Sequence, residues 1–343
     1  MTSPPEARRV LLLGRSAAAY ADLLGSSLRT PWEIVHWHPD EPAAELARRL
    51  AGCVAVAVGP DALTQAGFTL APYGLASRQE LRLVQLAFSS HEWLRPEMLP
   101  PHAHACNVHA HAATMAEYVL ACLLEWEIGL RRMDADLRRG DWHWSGALFG
   151  RPHGGLAGKR LGLLGAGAIA REVARRAEAF GVETVAVART ARAAAPGLAW
   201  IGGLERLDEM LTTCDYLVTA CDLNDSTRGL LDRRRLGRLK PSAYVVSVTR
   251  APIFDERALY EALRDRTIAG AAIDVWWRYP SRLGERCLPS QLPFHDLENV
   301  ILTPHAASWT TEHHQRRWGQ VAENLDRLAG GQPLAGVVHR PAG

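Results

Sequence analysis

Residues 159–190 constrain this chain more tightly than any other stretch. An apolar run, Leu161-Gly162-Leu163-Leu164, passes directly into Gly165-Ala166-Gly167-Ala168-Ile169-Ala170. A strand feeding G-x-G-x-x-A is the dinucleotide-binding fingerprint of a βαβ unit. Gly165 permits the tight turn, and Gly167 removes a Cβ that would hold a pyrophosphate away from the backbone. Ala170 is small enough to keep the next helix close to the sheet. Val173, Ala174, Ala177 and Phe180 recur at helical spacing, which predicts a helix over Ile169–Phe180 with Gly181 as its C-terminal cap. The free amides at its start, around Ala168 and Ile169, would face the phosphates.

The second strand, Val182–Val187, ends in Ala188-Arg189-Thr190-Ala191-Arg192. An enzyme for NAD(H) places an acid here to bind the ribose 2′-hydroxyl. The acid is missing, and Arg189 offers a planar partner for a 2′-phosphate, with Thr190 and Arg192 beside it. NADP(H) is therefore the expected cofactor, with NAD(H) possible. The plainer alternative makes Arg189 a solvated loop residue in a protein indifferent to the phosphate.

A chain of 343 residues is long for one core and suits two domains. Its 48% hydrophobic and 22% charged content is ordinary for a globular protein. A net charge of +2 with scattered basic residues argues against a nucleic-acid surface, and Arg233-Arg234-Arg235 reads as a solvated helix face. No apolar run reaches membrane-spanning length, and Met1-Thr2-Ser3-Pro4-Pro5 lacks a secretory core, so the expected location is cytoplasmic. Cysteines 53, 106, 122, 214, 221 and 287 show no C-x-x-C spacing; reduced core residues, with no metal site, are expected.

Strands are expected at Val10–Leu13, Glu33–Trp37, Cys53–Val58, Leu83–Phe88 and Ala105–Val108. Helices are expected over Ala17–Leu24 and Ala43–Leu50, then as one long run over Thr114–Arg139. After the fingerprint, strands recur at Tyr216–Thr219, Ala243–Val248, Gly270–Val275 and Val300–Leu302. This alternation predicts two doubly wound parallel-sheet α/β domains with ligands at the carboxyl edges of the strands. A Rossmann nucleotide domain would cover 126–304. A flavodoxin-like substrate domain would combine 1–125 with 305–343, leaving a cleft between the two.

Three of these strands end in side chains that carry chemistry. Tyr244-Val245-Val246-Ser247-Val248 leads to Arg250, Gly270–Ile273 to Asp274, and Val300-Ile301-Leu302 through Pro304 to His305. Arginine can grip a carboxylate and polarise a carbonyl, while histidine moves the hydroxyl proton. Asp274 can hydrogen-bond a nicotinamide carboxamide. Such groups beside a nicotinamide are what 2-keto acid reduction needs, although each alone could be a solvated loop residue.

Over nearly its whole length the chain resembles the D-isomer-specific 2-hydroxyacid dehydrogenase family. The matching stretches are Leu156–Ala170, Thr227-Arg228-Gly229-Leu230-Leu231, Leu239-Lys240-Pro241-Ser242-Ala243 leading to Arg250, and Phe254–Leu259. They continue with Ala272-Ile273-Asp274-Val275 and Asn299–His305, and Met115-Ala116-Glu117-Tyr118 looks like the family's V-A-E-H helix start. The resemblance implies Arg250 as the substrate-binding catalytic arginine and His305 as the acid/base. It implies a substrate carboxylate on the Phe88-Ser89-Ser90-His91 loop, cofactor contacts from Cys221, Asp222, Val248, Asp274 and His305, and a homodimer built through the nucleotide domain and the Thr114–Arg139 helix. Trp277 or Trp309 would line the substrate pocket, unless these rings only pack the domain interface.

The family places a Glu-Pro where this chain has Tyr279-Pro280, and that Glu pairs with the histidine. A phenol can orient His305 by one hydrogen bond but cannot raise its pKa as a carboxylate would. Reduction should then fall off at lower pH than in relatives carrying Glu. Ser247, Ala251 and Asp222 also depart from the family's usual Asn, Gly and Pro. The expected activity is NADPH-dependent reduction of a small 2-keto acid to the D-2-hydroxy acid. Formate or phosphite oxidation is one alternative, since formate dehydrogenases also lack the acid; the asparagine typical of their site is not evident near Val108–Thr114. A dinucleotide-sensing binding protein on the same fold is the other.

Overall fold

The computed structural model describes residues 8–280 and 284–341. The chain divides into two compact units, Met1–Ala110 with Thr310–Gly343, and His111–Trp309. The expected borders lie at 125/126 and 304/305, and one helix accounts for most of the difference. Ala112–Ile128 buries Met115, Ala116, Val119 and Leu123 in the core of the second unit, beside Val173 and Ala177 of the helix Ala168–Glu178. Its Trp126 ring stacks on Tyr244 of that unit's sheet, centroids 4.4 Å apart.

In the first unit the strands are β1 (Arg8–Leu13), β2 (Trp32–Trp37), β3 (Cys53–Val58), β4 (Leu83–Leu86) and β5 (His104–Cys106). They lie parallel in the order β2-β1-β3-β4-β5, and Val337–His339 closes the β5 edge antiparallel. This is the flavodoxin-like order. The run CVAVAV of β3 is apolar at every position because helices cover both faces of a parallel sheet.

The second unit holds β6 (Arg160–Leu164), β7 (Glu183–Val187), β8 (Ile201–Gly202), β9 (Tyr216–Thr219), β10 (Tyr244–Ser247), β11 (Gly270–Ile273) and β12 (Val300–Leu302). All pair parallel in the order β12-β11-β10-β9-β6-β7-β8, the doubly wound Rossmann arrangement. The winding direction reverses between β6 and β9, so the turn after Leu164 opens at the switch point where this fold binds ligands. The strand β8 was not expected. It has two residues, too few to carry an alternating pattern, and the neighbouring Trp200 takes the Arg206 guanidinium over its ring at 3.8 Å.

The long helix expected over Thr114–Arg139 is two helices, Ala112–Ile128 and Leu130–Leu137. Gly129 separates them at φ 72°, its amide donating to Glu125 O at 2.8 Å. That left-handed residue ends a helix as a C-terminal glycine does; the second helix ends at its cap Arg138, and Gly140 at φ 79° lies in the turn that follows. The helix expected over Ala17–Leu24 likewise splits into Arg15–Ala18 and Ala21–Ser27. All six cysteines are free, with 53, 106, 122 and 214 buried. Asp232 caps the short helix Arg233–Leu236, whose Arg234 pairs with Asp208 at 2.9 Å on the surface. Among the described residues no helix is long and apolar enough to cross a membrane.

Candidate active site

The glycine turn is built by contact with the neighbouring strand. Gly165 has φ 112°, and a Cβ there would lie 2.5 Å from Ala220 O, just beyond β9. Only glycine tolerates both the dihedral and that approach. Gly167 is extended, and a Cβ on it would meet nothing within 4 Å, so open space lies over its backbone. The 11-residue helix that follows starts with no side-chain cap, leaving its first amides for an anion. Ala168 is exposed, Ile169 half-buried and Ala170 buried against the sheet. An uncapped helix start beneath an open glycine backbone fits the pyrophosphate of a dinucleotide.

Arg189 and Thr190 follow β7 as exposed residues. Arg192 folds back, its Nη2 donating to Ala166 O at 2.6 Å, and so braces the turn. Beyond β9, Cys221 is half-buried, and burial, with Asp222 second, pushes its thiol up to about 12. It is therefore a packing group and not a nucleophile. Asp222 is exposed and its carbonyl accepts from Thr227 Oγ1 at 2.8 Å; Val248 is buried.

The strands β10, β11 and β12 are neighbours in parallel register, and their ladder runs past their ends. Asp274 N donates to Ser247 O at 3.0 Å and Thr303 N to Ile273 O at 3.0 Å. This brings Asp274 under the loop that carries His305. The Asp274 side chain, 1% exposed, accepts from Thr303 Oγ1 at 2.6 Å, Ala306 N at 2.7 Å and Ala307 N at 2.9 Å. Because Thr303 spends its proton on Asp274, Tyr118 donates to Thr303 Oγ1, at 2.6 Å. Trp276 holds the same loop from beside, its Nε1 on Thr303 O at 2.8 Å. Within this clasp His305 sits at φ 57°, a left-handed conformation held in place by its neighbours.

Tyr279 completes the site. Its hydroxyl lies 2.9 Å from His305 Nδ1 and 3.0 Å from the Trp276 amide. Burial holds the His305 pKa below the usual histidine value, opposed by Asp274 and assisted by the Arg250 guanidinium. The residue stays open to solvent, where a substrate could reach it. Arg250 is half-buried, with Nη1 on Thr249 O at 2.8 Å, and its charge also lowers the Tyr279 phenol, although burial raises that group overall.

Arg250, Asp274, Tyr279 and His305 thus gather at one sheet edge within one unit. Ser89, Ser90 and His91 belong to the other unit, where Ser90 Oγ donates to Glu92 at 2.9 Å and Asn107 Nδ2 to Ser89 O at 2.8 Å. Trp309 is 61% exposed. Trp277 stacks on the buried Phe294 at 5.7 Å, which makes it a packing residue. Sequence reasoning missed Thr303 and Tyr118 as supports of the histidine loop. The only signal was that both lie in stretches already matched to a family.

Residues 120–307 match the NAD-binding domain of the D-isomer specific 2-hydroxyacid dehydrogenases, more than half of the chain. The chain belongs to that family. Among curated relatives, it is 30% identical to the glycerate dehydrogenase of Methylorubrum extorquens over 64% of this chain and 66% of that enzyme. It is 30% identical to the glyoxylate reductase of Korarchaeum cryptofilum over 66% of each chain. The match spans just under two thirds of the first of these enzymes, and only 42% of the D-3-phosphoglycerate dehydrogenase of Methanocaldococcus jannaschii. An NADPH-dependent glyoxylate/hydroxypyruvate reductase from Sinorhizobium meliloti, solved with NADP and malonate, superposes with a TM-score of 0.72 at 25% identity over 97% of both chains. A family member from Aeromonas salmonicida reaches 0.79 at 24% identity, over 97% of this chain and 99% of that one.

Proposed function

We propose that this chain reduces a small 2-keto acid of the glyoxylate or hydroxypyruvate class to the D-2-hydroxy acid, with NADPH preferred over NADH. The observation that carries this reading is an imidazole locked at the end of β12 by Asp274, with Arg250 close enough to perturb it. The cofactor would be held by the amides of Gly167, Ala168 and Ile169 at the pyrophosphate. Arg189 and Thr190 would hold the 2′-phosphate, with Arg192 bracing the turn, and Cys221, Asp222, Val248 and Asp274 would lie along the rest. Bound there, the nicotinamide supplies the hydride. Arg250 binds the substrate carboxylate and polarises the keto oxygen, His305 protonates that oxygen from Nε2, and Tyr279 orients the ring. The family resemblance further supports Ser89, Ser90, His91 and Trp309 as substrate contacts. Exposed Leu130, Leu137, Trp142, Leu148 and Phe149, the last 98% exposed, support a homodimer through this unit.

The test is a panel of 2-keto acids run with NADPH and NADH in parallel, with the product's handedness determined. Oxidation of NADPH with glyoxylate or hydroxypyruvate supports the reading. No turnover with any keto acid, alongside tight NADPH binding, would favour a sensor; turnover of formate or phosphite would favour the oxidase alternative.

A further inference from the structure

The hydrogen bonds around Tyr279 determine where the His305 proton sits. The Trp276 amide, 3.0 Å from the phenol oxygen, can only donate, so that oxygen accepts there. The phenol then has one proton to give, and among the described residues His305 Nδ1, 2.9 Å away, is the acceptor within its reach. A nitrogen that accepts carries no hydrogen, so in the neutral ring the proton is on Nε2. We infer that Tyr279 is a positioning residue that holds neutral His305 in its Nε2–H tautomer, presenting a donor to the substrate's keto oxygen. A carboxylate at this position would do the reverse, drawing the proton to Nδ1 and leaving a lone pair on Nε2.

The meaning for catalysis rests on the reductase reading. A keto oxygen needs a hydrogen-bond donor, and here both the neutral and the protonated ring supply one. Substrate binding therefore does not depend on the His305 charge, while proton delivery still does. Protonation places a hydrogen on Nδ1, and the phenol must turn its own hydrogen away to accept it, which disfavours the imidazolium. In the protonated state the Nε2–H bond breaks as the new O–H bond forms on the product. The ring returns to neutral and reverts to the resting tautomer by exchange with solvent.

The decisive measurement is the 15N spectrum of protein labelled in its histidine rings, above the His305 pKa, with His305→Asn used to assign the signal. A pyridine-type Nδ1 and a protonated Nε2 are expected for His305; a protonated Nδ1 overturns the inference whether or not the protein turns over any substrate. Tyr279→Glu should move the proton to Nδ1 and raise the ring pKa by a unit or more. The kinetic counterpart uses glyoxylate and NADPH. The wild-type KM should change less than twofold between pH 6 and 9 while kcat falls, and in Tyr279→Glu the KM should rise several-fold once the histidine is neutral. A wild-type KM that climbs in step with the fall in kcat refutes the assignment. Absence of turnover with the expected tautomer would sink the reductase reading and leave the tautomer standing.

Discussion

Asp274→Asn isolates what holds the histidine loop. Asparagine keeps one acceptor, so Thr303 Oγ1 and the Ala306 amide can retain their bonds to Oδ1. Its amide nitrogen then faces the buried Ala307 amide, donor against donor, where the carboxylate now accepts at 2.9 Å. Losing one charge-assisted bond and stranding a buried N–H costs about 2–4 kcal/mol. In a domain of about 200 residues each kcal/mol moves Tm by roughly 2–4 °C, so a fall of about 5–15 °C is expected. Since Asp274 is what opposes the depression of the His305 pKa, its neutralisation should also shift the fall in kcat to lower pH. Calorimetry of the variant and the pH dependence of glyoxylate reduction measure both. A Tm within about 1 °C of wild type would refute the clasp, because an unpaired buried amide cannot be that cheap.

Gly165→Ala places a methyl 2.5 Å from Ala220 O at φ 112°, so both Tm and NADPH affinity by fluorescence titration should drop sharply. Arg189→Ala should raise the KM for NADPH about tenfold, near 1.4 kcal/mol, and leave NADH unaffected; equal losses for both would remove Arg189 from the 2′-phosphate. Burial lowers the His305 pKa, so the proton-donating form dominates only below that value. The kcat for reduction should therefore be highest in acid and fall as pH rises through a midpoint under the usual histidine value, and a plateau extending past pH 8 would contradict this. Phe149→Asp should shift the chain toward monomer in sedimentation experiments if the apolar residues around it form the subunit contact.

Much of the framework was legible because parallel strands covered on both faces must be largely apolar, and β3 and β9 fall where those runs predict. Arg250, Asp274 and His305 could be picked out because a polar side chain directly after a buried strand must emerge at the sheet's edge. What stayed hidden depended on pairing across distance. The two-residue β8 and the closing strand Val337–His339 are defined by their partners and not by their own pattern. Gly129 inside a helical run could have been tolerated, and only its dihedral shows the break. The Tyr118–Thr303–Asp274 relay joins residues as far as 185 positions apart, which no local periodicity encodes.

The bonds by which Asp274, Trp276 and Tyr118 hold the 303–307 loop do not include the side chain of residue 279, so the backbone that carries the imidazole is fixed apart from the group on its Nδ1. Evolution is thereby free to exchange the group at 279 and retune the working pH in a single substitution, while the loop backbone stays where the sheet put it.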